Sequence, residues 1–254
     1  MTRPGGETRR KYQRIADDLR ERITSGEYSP GDKVPGENEL MQTYDVARMT
    51  ARQALDVLRH EGLTVTRRGS GVYVRDFKLI RRSSPARLKS DAWTSGKSVW
   101  SEDIETRPLN VVDLSVTRET APEHVARVLD FDESEEPSVY ARRRTYVVDD
   151  RPVNHAVSYF PADLVEGTRI TEHDTGSGGV YARLAELDVA PTTFREEVRS
   201  RMASEEDAEQ LKVQSSTPVL AVVRTAFTED GRAVELNEMV LDSSAYVLDY
   251  EFDA

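Results

Sequence analysis

Residues 37–60, ENELMQTYDVARMTARQALDVLRH, read as two helices joined by a tight turn. Glu37 to Tyr44 make a short helix, Asp45 and Val46 the turn, and 47–60 carry Ala51, Ala54, Leu55 and Leu58 as one apolar stripe. Arg48 and Arg52 lie one turn apart on that helix, outside the stripe. Upstream, Tyr12, Ile15, Ala16, Leu19 and Ile23 recur at helical spacing, so 9–25 form a further amphipathic helix. Gly26 and the turn Ser29-Pro30-Gly31-Asp32 end it. Downstream, Gly62 stops the third helix, and two alternating runs, 63–67 and 72–75, flank Arg68-Gly69-Ser70-Gly71 as a hairpin. Three helices and a small hairpin predict a winged helix-turn-helix over 1–76.

The charge divides in the same place. The 254-residue chain has 35 Lys and Arg against 46 Asp and Glu, a net charge of -11. Residues 1–82 hold 17 against 12 and the rest 18 against 34, so a head of +5 adjoins a body of -16. A basic end on an acidic chain is expected where that end meets a polyanion. In a helix-turn-helix the second helix turns its N-terminal half to base edges and phosphates in the major groove. Arg48 and Arg52, with Thr50 beside them, are therefore the expected contacts to double-stranded DNA. The hairpin tip adds Arg67, Arg68 and Gly69, whose missing side chain permits a close backbone approach. A single arginine of this kind is more often a solvated surface charge; four on the two DNA-facing elements make a stronger statement.

Several chemistries are excluded. Cysteine is absent, which removes disulfide scaffolds, thiol catalysis and Cys-based zinc sites and fits a reducing compartment. No apolar run approaches the ~20 residues of a membrane span, and the first residues have no signal-peptide core. A cytoplasmic protein with no membrane partner is expected. Histidines 60, 124, 155 and 173 show no metal-ligand spacing, and neither G-x-S-x-G nor a P-loop occurs. No metal, cofactor or catalytic residue is predicted.

Residues 77–94 read as a linker with little core, around Arg81-Arg82-Ser83-Ser84-Pro85. In 95–254, strands are expected at 111–117, 139–148, 153–160, 194–202, 219–227, 233–241 and 246–252, and helices at 122–129, 180–187 and 205–212. Most of these strands follow one another through short turns, which predicts an α+β domain with a largely antiparallel sheet. An internal repeat runs through it. Pro137 to Arg151 and Pro218 to Arg232 both span 14 residues, each after a helix, and the copies superpose Asn154 on Glu235. Two hairpins facing each other are expected to build a cleft. Arg142 and Arg144 share one strand face while Arg143 takes the other. Such a pair suits a small anion, although an acidic domain could pair it with its own carboxylates. Gly176-Ser177-Gly178-Gly179 precedes a helix and either cradles an anion with its amides or is a plain flexible loop.

The head, through Pro30-Gly31-Asp32-Lys33-Val34-Pro35, Glu37-Asn38-Glu39-Leu40, 46–55 and the wing Gly69-Ser70-Gly71-Val72-Tyr73-Val74, resembles GntR-type bacterial transcription regulators. The body resembles the UTRA effector-binding domain of their HutC-like branch, related in fold to chorismate lyase. Trp100-Ser101-Glu102-Asp103, Arg142-Arg143-Arg144, Asp150-Arg151-Pro152-Val153, Ser158-Tyr159-Phe160-Pro161, Val180-Tyr181, and Arg224-Thr225 before Gly231-Arg232-Ala233-Val234-Glu235 carry that resemblance. It implies DNA contacts at Arg48 and Arg52. It also implies an effector cleft lined by Arg142, Arg144, Asn154 and Glu235, with Ser101 and Gly179 beside it; Asn154 replaces an acid and Gly179 a serine. The implied function is a homodimeric repressor on an inverted repeat, released by a small anionic effector. Two alternatives stand: an enzyme of the chorismate-lyase-like fold, and a constitutive plasmid-type repressor whose body only dimerises. Strand 246–252, with Tyr246, Leu248, Tyr250 and Phe252 on one face, is a candidate dimer interface or sheet-edge strand.

Overall fold

The computed structural model describes residues 10–67, 69–83, 88, 107–132, 136–215 and 217–251, and the chain divides into two units between Lys78 and Leu79. In the first unit, α1 (Lys11–Thr24), α2 (Glu37–Tyr44) and α3 (Arg48–His60) surround a core that includes Ile15, Leu19, Leu40, Leu55 and Leu58. Asp45 adopts a left-handed φ of 47° and its N–H bonds to Met41 O, which stops α2 and turns the chain into α3. The hairpin β2 (Thr64–Arg67) and β3 (Gly71–Val74) is joined by β1 (Lys33–Val34), giving the order β1-β3-β2. β1 has no counterpart in the sequence reading, because two residues carry no periodicity. It exists because Val34 is buried and pairs with Val72.

The second unit is built on one six-stranded antiparallel sheet in the order β5-β6-β7-β10-β9-β8. The strands are β5 (Leu109–Thr120), β6 (Ser138–Val148), β7 (Arg151–Pro161), β8 (Thr193–Met202), β9 (Pro218–Phe227) and β10 (Ala233–Asp242). Expectation and structure differ in how the repeat is arranged. The hairpins β6–β7 and β9–β10 do not face each other; they lie side by side, joined where β7 pairs with β10. Val157 sits opposite Glu238, and these positions are 81 apart, as are 154 and 235. The halves β5-β6-β7 and β8-β9-β10 are thus related by a pseudo-two-fold through that pair. Any cavity must therefore lie on one face of the sheet, beneath whatever covers it.

Alternation sorts the residues onto two faces. Val139, Tyr159 and Leu236 pack with Val125 of the helix Glu123–Val128 and with Leu129, which caps that helix, and Val219 packs with Leu211 of Glu205–Leu211. The opposite face carries Arg142, Arg144, Asn154, Ser158, Asn237 and Arg224, which are direct or alternate cross-strand neighbours. The helix Gly179–Glu186 covers part of it, through Tyr181 and Leu184 packed with Phe160 and Ala226.

The linker expectation needs correction. Ile80–Ser83 form β4, which pairs in parallel with β11 (Tyr246–Asp249). Ile80 and Arg82 are both fully buried, so this stretch belongs to the second unit's core. The basic composition misled because the Arg82 charge is answered by Glu196 on β8, 2.7 Å away. Residues 84–87 and 89–94 of the expected linker lie outside the described residues. The C-terminal strand stops at Asp249, and Phe252 lies outside the described residues.

Candidate functional site

Arg48 and Arg52 project from the first half of α3, 64% and 52% exposed. Glu37, at the start of α2, accepts from both, at 2.7 Å from Arg48 Nε and 2.8 Å from Arg52 Nε. The hydrogen bonds from Arg52 and then Arg48 hold the Glu37 carboxyl below its ordinary range. One carboxylate thus fans two arginines outward along the same helix. Thr50 is half-buried in the first turn of α3, while Met49 is exposed. Between α3 and the hairpin runs a groove of about 360 Å³ lined by Arg52, Arg67 and Gly69, among others. The Arg67 guanidinium stacks 4.4 Å from the centroid of the Tyr73 ring, whose hydroxyl meets Ser70 Oγ at 2.5 Å. Gly69 has a φ of +76°, a conformation that favours glycine, and among the described residues no atom outside its chain neighbours lies within 4 Å of where a Cβ would stand. Of the six residues expected at DNA, Arg52, Arg67 and Gly69 line this groove, Arg48 and Thr50 share α3, and Arg68 lies outside the described residues.

In the second unit a cavity of about 260 Å³ opens on the sheet face covered by the helix Gly179–Glu186. Arg142, Arg144, Gly179 and Glu235 all line it. Asn154 does not: it lies on the same face, fully buried, with neither amide atom hydrogen-bonded among the described residues. Ser101 lies outside the described residues.

The two expected arginines are already engaged. Arg142 donates to the backbone carbonyls of Ile170 (2.5 Å), Glu172 and His173 (3.2 Å), pinning the segment after β7 over the sheet. Arg144 donates to Tyr146 OH (2.8 Å), Arg142 O (3.0 Å) and Ser158 Oγ (2.9 Å). Among the described residues no carboxylate forms an ion pair with either, so the carbonyls answer their hydrogen bonds but not their charge. Burial, reinforced by the neighbouring Arg144, pushes the Arg142 pKa down to about 10.

A third arginine, absent from the expected set, also lines the cavity. Arg224 on β9 is 2% exposed, and its guanidinium lies 5.6 Å from the Tyr181 ring and 6.0 Å from that of Phe194. Burial opposes its charge, but Tyr181, Glu235 and Glu196 together hold its pKa above the ordinary guanidinium value. Arg224 sits opposite Asn237, as Arg144 sits opposite Ala156. Since 156 and 237 are also 81 apart, Arg224 is the structural counterpart of Arg144. Sequence spacing alone aligns Arg224 with Arg143, on the wrong face. The slip arises because the five-residue loop 228–232 replaces the two-residue turn at Asp149 and Asp150, both left-handed, and shifts the hairpin register by one. Tyr181 OH donates to Glu235 Oε2 at 2.6 Å, tying the covering helix to the sheet.

Known proteins are similar along most of the chain. The model of the UTRA domain matches residues 110–247, and that of the bacterial regulatory proteins, gntR family, matches 11–74. An uncharacterized HTH-type transcriptional regulator of Streptomyces coelicolor is 29% identical, over 95% of this chain and 92% of that one. The HTH-type transcriptional repressor NagR of Bacillus subtilis is 26% identical, over 95% of this chain and 94% of the relative. Among solved structures, PhnF from Mycobacterium smegmatis superposes with a TM-score of 0.58 at 22% identity, over 94% and 99% of the two chains, a likeness of fold.

Proposed function

The chain belongs to the GntR family of bacterial transcription regulators and carries its UTRA domain, and from that premise we propose that it is a repressor that binds an inverted-repeat operator as a homodimer and is released by a small anionic effector held in the sheet-face cavity. The observation that carries the DNA half is the exposed Arg48–Arg52 pair on α3, fanned by Glu37 and adjoining the groove of Arg52, Arg67 and Gly69. A two-fold operator calls for a two-fold protein, each subunit offering one α3 to the major groove.

The effector half rests on charge. Three buried arginines, 142, 144 and 224, line a cavity whose only lining carboxylate among the described residues is Glu235. An anion there meets a positive field in a low-dielectric setting, where Coulomb attraction is strong. The N-terminal end of the helix Gly179–Glu186, with Gly178 and Gly179 lining the cavity, adds to that field. A route toward the head also exists. Glu196 accepts from Arg82 at 2.7 Å and lies 4.0 Å from Arg224, and Arg82 sits on β4, which begins just after the division at Lys78. An anion that draws Arg224 off Glu196 changes the hold on β4, and hence on the strand leading from the head. The effector must bind the released form more tightly for this to work.

The engagement of Arg142 and Arg144 by the protein's own carbonyls and hydroxyls favours one second reading, a repressor whose body only dimerises. An electrophoretic shift on the DNA upstream of the protein's own coding region, joined to sedimentation of the full chain, tests the proposal. A dimer shifting that DNA is expected; a monomer at micromolar concentration, or DNA binding indifferent to salt, contradicts it.

A further inference from the structure

Hydrogen-bonding capacity in the cavity is unevenly spent. All three nitrogens of Arg144 donate to protein atoms, and both terminal nitrogens of Arg142 hold backbone carbonyls. Arg224 differs. Its Nε and Nη1 are buried with no hydrogen-bond partner among the described residues, and Glu196, 4.0 Å from Nη1, already accepts from Arg82. Glu235 is fully buried, gives Oε2 to Tyr181, and leaves Oε1 without a partner among the described residues. Tyr181 ties the two together, bonding Glu235 through its hydroxyl and stacking near Arg224 through its ring. The residues that carry an unmet donor pair and an unmet acceptor thus line one cavity, the atoms themselves covered, and burial without partners disfavours each until a shift of the lining lets something bind.

We infer that Arg224 and Glu235 form the recognition pair of this cavity, Arg224 taking an acidic group of the ligand and Glu235 Oε1 a hydroxyl or amino donor beside it. The inference rests on the effector reading above and departs from the set that the resemblance implies: Arg142 and Arg144 supply field and shape, while Arg224 supplies the hydrogen bonds. The ligand class follows from the lining. A molecule with only an acid leaves Glu235 buried and unanswered, and one with only hydroxyls leaves Arg224 so. Leu109, Val111 and Leu114 line the cavity as well and fit a carbon skeleton. At about 260 Å³ the space is at the small end of the ~300–1,000 Å³ usual for ligand pockets. A small hydroxy or amino acid, carboxylic or phosphoric, satisfies each of these terms.

The test is thermal denaturation of the full-length protein with acetate, lactate, glycerate, serine and 3-phosphoglycerate, in wild type, Arg224→Lys and Glu235→Gln. At least one donor-bearing acid is expected to raise the wild-type Tm, and acetate to do so least. Arg224→Lys keeps the charge that Glu196 and Glu235 answer but changes the donor geometry, and should weaken the best acid more than tenfold. Glu235→Gln should erase the preference over acetate. Should either variant fold poorly, ¹⁵N spectra of the wild-type arginine side chains decide: the Arg224 Nε–H resonance should move with the acid, while that of Arg144 stays on Tyr146. Undiminished binding in Arg224→Lys, or a shift at Arg144 alone, overturns the pair. If no probe stabilises the wild type, the acid-binding reading of the cavity fails first.

Discussion

In the head, two exposed arginines share one half-exposed carboxylate; in the body, three arginines lie almost wholly buried, two of them held by carbonyls and hydroxyls rather than by acids. An exposed guanidinium on Glu37 can exchange that carboxylate for a phosphate at little cost, because water already screens both partners. A buried one has no such freedom: its neighbours are fixed, and any change of partner moves the structure around it. The head is thus suited to a polyanion, whose binding varies steeply with salt. The body is suited to one small molecule, whose binding alters packing.

That contrast breaks most visibly at Arg82. Arg82→Met removes the fully buried arginine that lies 2.7 Å from the half-buried Glu196 and should cost about 3–5 kcal/mol in urea unfolding. A loss under 1 kcal/mol would mean that the body's buried charges are as dispensable as surface ones. Next is Arg52→Ala, expected to cost roughly 1–3 kcal/mol of operator affinity while leaving the unfolding midpoint unchanged. If about six phosphates are neutralised, log K for the wild type should fall against log salt with a slope near -5; the variant's slope should be shallower by about one if Arg52 meets a phosphate, and unchanged if it reads a base.

The helix Glu205–Leu211 offers a smaller, pH-dependent effect. Burial works against the Asp207 charge, yet Arg201 and the amide and hydroxyl of Ser204 hold its pKa down to about 2. Its stabilising contribution is complete above the unfolded value of ~3.9 and is lost as pH falls toward 2. Asp207→Asn should cost about 1 kcal/mol at neutral pH and flatten the stability curve between pH 4 and 2, as denaturant titration would register. Smallest of all, Arg127→Ala breaks an exposed pair with Glu123 and should stay within about 0.5 kcal/mol by the same titration.

The sequence revealed the head nearly residue by residue, because its helices are amphipathic, its turns carry Gly, Pro and Asp, and its contacts are local. The strands of the body were legible too, since alternation is a local signal. What escaped was decided by pairing across the chain. Lys33 and Val34 become a strand only beside Tyr73 and Val72, and Ile80–Ser83 only beside Tyr246–Asp249. Arg224 entered the cavity through a one-residue difference in hairpin register that no spacing count exposes. Asn154, placed by that same count, reached the right face of the sheet but not the cavity.

The central claim is that DNA contact and ligand response reside in separate arginines. A reporter driven by the native promoter, read across many growth conditions in cells carrying each variant, tests it whatever the ligand is. Wild type should be repressed in most conditions and open in at least one, Arg52→Ala open in all, and Arg224→Lys repressed in all. An Arg224→Lys strain that opens as the wild type does, or that is open throughout, would contradict the account.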